Sequence, residues 1–466
     1  MYIEISEELR ELADIFERNG EDLYIVGGCV RDAVLGVKGT QKNDTDLCSA
    51  CKPNKVVKIL KGTRFLTDDS NAKLGTIIVK GKKRYEHTTF RRENYNLNGE
   101  HNPTGIEFVK DINSDARRRD FTINAVYYHI SSGNIVDPVD GMQDIKSGII
   151  RTPIASDQSF SEDSERILRM IRFACTFNFL IEEKTLQSAV NLSDGVRNLS
   201  KTRIKNELEK MLVCDTFYLT LKQSYYAHAR CMILLGKLNL WKYILPALAE
   251  IQFSNLKDEK GELLYEHIIK TFSVCNPEVR LACLLHDVGK MYTKQNRNNF
   301  EFSTEWANVI IENNLGINGL GYPKKVVEEI KQIISELDFD KYGHKPKKQV
   351  RLYIRKNKNV FEKICMLKDA IALENTNFTS ISKIAKRWKI IATEMKQLRT
   401  PLTLSELSID GNDIIDCIPD IKLNKIGEIL NNILDFCLHH PRCNEKEILL
   451  QKIKKEVLKQ PNYYFD

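Results

Sequence analysis

Leu23-Tyr24-Ile25-Val26-Gly27-Gly28-Cys29-Val30-Arg31-Asp32 is a short apolar run, a glycine pair and the start of a helical stretch that runs to Gly36. It reads as strand, glycine turn, helix. Backbone N–H groups at the helix start, with Arg31 one turn in, make a cradle suited to phosphate. The third glycine and the spacing of a Gly-x-Gly-x-x-Gly fingerprint are absent, and so is the Gly-Lys-Ser/Thr ending of a P-loop. Upstream, Ile5, Leu9, Leu12, Ala13 and Phe16 recur at helical spacing, and Asn19-Gly20 supplies the stop. Downstream, the runs 75–79 and 85–90 are rich in β-branched and aromatic residues, and Gly133 separates two more at 126–130 and 134–136. The first ~145 residues therefore read as α+β, helices on a small mixed sheet.

From Glu162 onward strand signals nearly vanish, and periodic segments such as 162–173 and 202–212 predict an all-α remainder. Weak punctuation gives four expected segments: a head over 1–150, a helical neck over 151–253, a helical body over 254–375 and a helical tail over 376–466. The chain has 466 residues, 42% hydrophobic and 29% charged, which excludes both a single small domain and wholesale disorder. Its net charge of +7 leans mildly toward polyanions. The twelve cysteines are scattered without an extracellular framework, so free thiols are expected. The acidic, amphipathic N-terminus is unlike a signal peptide, and no apolar run approaches the ~18–20 residues that span a bilayer, so a cytoplasmic protein with no membrane partner is expected. Cys48 and Cys51 lack a second pair at zinc-finger spacing, and Cys437, His439, His440 and Cys443 are too compressed for an ordinary tetrahedral site.

Asp44 and Asp46 lie two apart just after the glycine turn and helix; an extended Asp44-Thr45-Asp46 aims both carboxylates to one face. Paired carboxylates suit Mg²⁺, and Glu86 on a later strand completes a candidate set. Taken alone, an Asp-x-Asp is weak evidence and reads more readily as a solvated turn or a helix cap.

Gly27-Gly28-x-Val30-Arg31-Asp32 followed by Asp44-x-Asp46 resembles the nucleotidyltransferase signature of class II tRNA CCA-adding enzymes and bacterial poly(A) polymerases. Later segments resemble the family's motifs in order: Tyr85-Glu86-His87-Thr88-Thr89-Phe90-Arg91 its third-carboxylate strand, Arg118-Arg119-Asp120-Phe121-Thr122-Ile123-Asn124 its ribose-recognising motif, and Asp137-Pro138-Val139-Asp140-Gly141 its hinge. Glu162-Asp163-Ser164-Glu165-Arg166-Ile167-Leu168-Arg169-Met170-Ile171-Arg172-Phe173 resembles the base-selecting helix, and Arg203-Ile204-Lys205-Asn206-Glu207 the helix that buttresses it. Leu74 stands where the family commonly has histidine. The resemblance covers 24–212 and implies addition of CCA to the 3′ end of tRNA from CTP and ATP, without a nucleic-acid template, by two-metal nucleotidyl transfer with release of pyrophosphate. It implies Asp44 and Asp46 as Mg²⁺ ligands, Gly28, Arg31, Arg119 and Asn124 near the nucleotide, and Asp120 at the ribose. Poly(A) polymerase and partial CC- or A-adding enzymes share these motifs; 91–110 corresponds to the flexible loop of enzymes that complete CCA.

The base-selecting segment also makes sense as chemistry. Asp163 and Arg166, expected at i,i+3 on one helix face, form an acceptor beside a donor fork. Cytosine and adenine offer an amino donor next to a ring-nitrogen acceptor, whereas guanine and uracil present a carbonyl that a carboxylate repels. Arg169 and Arg172 continue the face and suit a triphosphate; a charged solvent face over a core of Ile167, Leu168, Ile171 and Phe173 explains the apolar residues equally well.

Further on, Tyr265-Glu266-His267, Leu284-Leu285-His286-Asp287 and the distant Asp369 resemble an HD phosphohydrolase domain, a second candidate metal set, with Ser303-Thr304-Glu305 where fused relatives tend to carry another histidine. A metal phosphohydrolase or a plain RNA-binding protein, with a relict head, is the alternative from another class. The segment 404–415 resembles the tail of the CCA-adding branch, and the chain lacks the long basic extension expected of poly(A) polymerases. Basic stretches at 345–358 and 452–459 suit phosphate contacts. No protein partner is predicted, and the sequence leaves monomer and homodimer open.

Overall fold

Ser6 caps the first helix, α1 (Glu7–Arg18), by accepting from the Leu9 amide, and Gly20, at φ +73°, turns the chain out of it. The head then runs β1 (Tyr24–Val26), α2 (Gly28–Val34), β2 (Asp44–Ser49), α3 (Pro53–Leu60), β3 (Leu66–Asp68), β4 (Thr76–Lys80), β5 (Arg84–Thr89), β6 (Arg91–Asn94), β7 (Gly105–Phe108), α4 (Ile112–Arg117), β8 (Tyr127–His129), β9 (Ile135–Val136) and α5 (Gly141–Ser147). This computed structural model describes residues 3–37, 44–96, 103–218, 226–257, 261–293, 300–376, 380–459 and 461–464.

Seven strands form one mixed sheet in the order β3-β4-β5-β2-β1-β8-β9. β2 and β5 are its parallel pair, and the other neighbours are antiparallel. Alternation along β5 buries Tyr85, His87 and Thr89 and leaves Glu86 half-buried on the opposite face. α1 covers the buried face, where the Phe16 and His87 rings lie 5.4 Å apart and His87 Nε2 meets the Ser49 hydroxyl at 2.7 Å. Burial pushes the His87 imidazole down to about 3, so it is neutral. The other face packs Val26, Cys48, Phe90, Ala116, Ala125 and Tyr127 into a core under α4. The α+β head with a small mixed sheet, expected from the sequence, is what the chain forms.

The segment 91–110 is a two-stranded antiparallel ribbon, Arg91 opposite Phe108 and Asn94 opposite Gly105, with 97–102 outside the described residues. Beyond the head come β10 (Ile149–Ile150), α6 (Ser156–Glu162), α7 (Glu165–Phe177), β11 (Leu180–Ile181), α8 (Glu183–Asn191), α9 (Lys201–Leu212) and α10 (Ala227–Lys237). β10 and β11 pair in parallel, which clips the end of the head to the neck. This pair was not foreseen, because two residues are too few to show a period of two.

The chain divides into two compact units, Met1–Ile269 with Val309–Pro323, and Lys270–Asn308 with Lys324–Asp466, so the segments read as head and neck share one unit. The second unit is all helical among its described residues. One of its cores is aromatic: Phe339 stacks on Tyr353 at 3.9 Å beside buried Trp388, whose indole donates to Asp340 at 3.1 Å. Another joins Ile409, Ile414, Ile433, Leu449 and Ile453. All twelve cysteines are free, and no helix among the described residues is long and apolar enough to cross a membrane.

Candidate active site

Gly27 sets the geometry of the site. Its φ of +77° and ψ of −134° suit glycine alone. A Cβ there would lie 3.6 Å from Asp46 Oδ2 and 4.0 Å from Arg119 Nη1, so backbone, carboxylate and guanidinium converge on the glycine turn. Asp46 on β2 and Glu86 on β5 are register partners on adjacent parallel strands, and both lie on the face that α4 flanks. Asp46 is exposed and Glu86 half-buried, and carboxylate oxygens are the donors a hard cation prefers. Asp44 opens β2 opposite Arg84, as the extended reading requires; its side chain lies outside the described residues.

Arg119 is held in place by a residue the sequence reading passed over. Asp115 on α4 is fully buried and accepts from Arg118 Nε at 2.8 Å, Arg119 Nη2 at 3.1 Å and the Tyr127 hydroxyl at 2.8 Å. Burial alone would raise its carboxyl, but Arg118 and Arg119, with the Tyr127 hydroxyl, hold it down to about 2. Its signal was the i,i+3 and i,i+4 spacing to the arginine pair, which on a helix brings all three together.

The expected continuous helix over 162–173 is broken. α6 ends at Glu162 and α7 starts at Glu165, with Asp163 extended between them (φ −152°, ψ 101°). Asp163 and Arg166 therefore do not share a helix face; the aspartate precedes the helix and accepts from the Glu165 amide at 2.9 Å. Asp and Ser compete for backbone partners and favour helix ends, which explains the break at Asp163-Ser164. The two groups still meet, Arg166 Nε to Asp163 Oδ2 at 3.9 Å, and both are buried. Arg166 also donates to Ser159 Oγ at 2.8 Å and to the Arg118 carbonyl at 2.9 Å, tying α7 to the head.

Each remaining arginine has a carboxylate partner. Arg169 donates twice to Asp120 Oδ2, at 2.8 and 2.6 Å; burial would raise the Asp120 carboxyl, but Arg169 brings it to about 2. Arg172 donates to Glu207 Oε2 at 2.7 Å, and Arg203 to Glu165 Oε2 at 2.6 Å, so α9 does buttress α7. Asn124 joins the pairs, donating to Asp120 at 3.0 Å and accepting from Arg31 Nη1 at 2.7 Å. Arg31 closes on Asp32 at 2.7 Å, and the Tyr218 hydroxyl accepts from Arg31 and donates to Asp32, each at 3.1 Å. Gly28 lies against this fork; a Cβ there would come 3.4 Å from Arg31 Nη2. Asp120, Asn124, Arg31 and Arg169, expected around a nucleotide, thus form one hydrogen-bonded network, to which the sequence reading had not assigned Asp32 or Tyr218. In the hinge segment, Asp137 accepts from the Gly141 and Met142 amides at 2.8 and 2.9 Å, and a Cβ on Gly141 would strike the Thr122 carbonyl at 2.2 Å.

The second candidate metal set draws on residues of both units. His267 lies on the helix Leu264–Ser273, in the first unit. In the second unit His286 Nε2 lies 3.6 Å from Asp287 Oδ2, which accepts a hydrogen bond from Lys290 Nζ at 2.8 Å. Asp369 is engaged elsewhere, with Lys389 at 2.7 Å and the Ser382 amide at 3.2 Å.

Glycine turn, strand-borne carboxylates and an arginine-lined neck define a nucleotidyltransferase-type head, and comparison with known proteins agrees. Residues 23–151 match the family model for the "Poly A polymerase head domain", and 178–223 match that for the "Probable RNA and SrmB- binding site of polymerase A". The CCA-adding enzyme of Lactococcus lactis subsp. cremoris is 30% identical over 315 residues, 66% of this chain and 71% of the relative. This chain belongs to the CCA-adding enzyme family. The CCA-adding enzyme of Lactiplantibacillus plantarum is 32% identical over 205 residues, 44% of this chain, and the matched region spans about half (48%) of that relative's length. The structure of the Bacillus stearothermophilus CCA-adding enzyme in complex with CTP shares the fold, with a TM-score of 0.66 at 23% identity over 97% of this chain and 98% of that one.

Proposed function

We propose that this chain adds the 3′-terminal CCA to tRNA from CTP and ATP without a nucleic-acid template. The observation that carries the reading is the register of Asp46 with Glu86 beside Gly27 and Arg119. In the proposed reaction the RNA 3′-hydroxyl attacks the α-phosphorus of the nucleotide, a new P–O bond forms, the bond to the β-phosphate oxygen breaks, and pyrophosphate leaves. Such chemistry depends on positioning and charge stabilisation more than on a protein nucleophile.

Asp44 and Asp46, with Glu86 beside them, are oxygen donors of the kind Mg²⁺ prefers, and the ion would supply Lewis-acid activation of the attacking hydroxyl and stabilise the leaving phosphate. Arg119, locked by Asp115 and Tyr127, turns Nη1 toward the glycine turn, where a phosphate would lie. Asp163 accepts from the exocyclic amino group of cytosine or adenine and Arg166 donates to the adjacent ring nitrogen; guanine and uracil would set a carbonyl against the carboxylate. Membership of the family supports tRNA as the acceptor, and the match of 178–223 to an RNA-binding segment supports a polynucleotide partner.

The reading is tested by offering the purified chain a tRNA lacking its last three nucleotides, Mg²⁺ and one labelled nucleoside triphosphate at a time. CTP alone is expected to be incorporated, and ATP to be incorporated after CTP; incorporation of GTP or UTP at comparable rates would contradict it.

A further inference from the structure

Three guanidinium groups converge on one ring. Arg172 Cζ lies 4.2 Å from the Phe173 centroid, and Arg31 and Arg169 each lie 5.3 Å from it. Arg31 is also 4.4 Å from the Phe177 centroid, and the Phe177 ring is nearly parallel to Phe173, 5.9 Å away at 13°. Phe121 from the head meets Phe173 edge-on at 6.0 Å. The carboxylates that partner these arginines come from separate places: Asp32 on α2, Asp120 after α4 and Glu207 on α9. The Phe173 ring is a feature that all three cations share.

An aromatic face is negative and attracts cations, most strongly where water is excluded, and Phe173 is 7% exposed. A leucine would fill much of the same space yet offer no such face. We propose that Phe173 is a positioning residue, whose ring gathers Arg31 from the head and Arg169 and Arg172 from the neck into one array that faces the triphosphate. This inference rests on the nucleotidyl-transfer reading. It gives Phe173 an electrostatic role beyond packing, alongside the hydrogen-bonded network that joins Arg31 and Arg169 through Asn124 and Asp120.

The test compares the full chain with Phe173→Leu, Phe173→Tyr and replacement of Phe173 by pentafluorophenylalanine, which keeps the ring's shape but reverses its charge distribution. CTP affinity is measured by titration, KM and kcat on truncated tRNA, and folding by the thermal midpoint. CTP affinity is expected to fall about tenfold, with KM rising in step, in the leucine and fluorinated chains, which is ~1.4 kcal/mol. The tyrosine chain should stay near wild type, and the fluorinated chain should keep its thermal midpoint. Wild-type affinity in the fluorinated chain would overturn the proposal and leave Phe173 as packing. Failure of the wild-type chain itself to bind CTP would overturn the nucleotidyl-transfer reading, and this inference with it.

Discussion

Asp46 and Glu86 stand opposite each other on the parallel pair β2 and β5, forty residues apart in the chain and neighbours on the sheet. Because side chains alternate along both strands, that register places the two on one face, with the next residues along each strand, Leu47 and His87, on the other. A slip of one residue would send Glu86 into the core and bring His87 out.

The carboxylates are therefore expected to be indispensable for addition and dispensable for RNA binding. Asp44→Ala and Asp46→Ala should each lower kcat by on the order of 10²–10³-fold or more, measured with labelled CTP, while tRNA affinity stays within about threefold. Retained addition in either variant would contradict the assignment.

Asp163 is expected to set nucleotide choice. Asp163→Ala should bring incorporation of GTP and UTP closer to that of CTP and ATP by about 1–3 kcal/mol, roughly 5- to 150-fold in the ratio of kcat/KM, borrowing the scale of bidentate base readout. Unchanged discrimination would show that the contact between Asp163 and Arg166 does not read the base.

Acid should weaken the head through Asp115 and Asp120. Both carboxyls sit at about 2 in the folded chain against an ordinary value of about 3.9 when unfolded. Depressed groups contribute stability that is fully present above the unfolded value and is lost as pH falls through the folded one, on the order of 2 kcal/mol each between about pH 4 and pH 2. Asp115→Asn should be less stable than wild type at pH 7, and the gap should narrow across that window when unfolding midpoints are compared. A constant gap down to pH 2 would contradict the ion network drawn around Asp115.

Gly27 is expected to tolerate no side chain. Gly27→Ala should cost about 1–2 kcal/mol of stability from its positive φ, with a further loss of activity because relief of that strain would shift the turn that lies beside Asp46 and Arg119. Gly20→Ala, also at positive φ but with nothing within 4 Å, is the control: it should lower the unfolding midpoint without the activity loss. Equal activity losses in both would contradict the placing of Gly27 beside the site.

What the sequence made legible was local or strictly ordered. The strand, glycine turn and helix from Leu23 to Gly36 needed only periodicity and two glycines, and the two-residue spacing of Asp44 and Asp46 was enough to place them on one face once that stretch is extended. Partners contributed by distant segments were harder to see. Glu207 and Tyr218 reach Arg172 and Arg31 from 35 and 187 positions away, and no local pattern announces such a pairing. The break at Asp163 was misread because the apolar period of 167–173 was extended backwards through Asp163-Ser164, where capping preferences outweigh the helical period. Asp115 was missed although its spacing to Arg118 and Arg119 was visible, because a buried acid in a charged stretch looks like any exposed one until its neighbours are placed.

The most direct measurement is incubation of the purified chain with tRNA lacking its last three nucleotides, Mg²⁺ and all four nucleoside triphosphates, reading product length and sequence. The account predicts three added residues ending in CCA. A long adenylate ladder, a stop after CC, or no addition at all would contradict it.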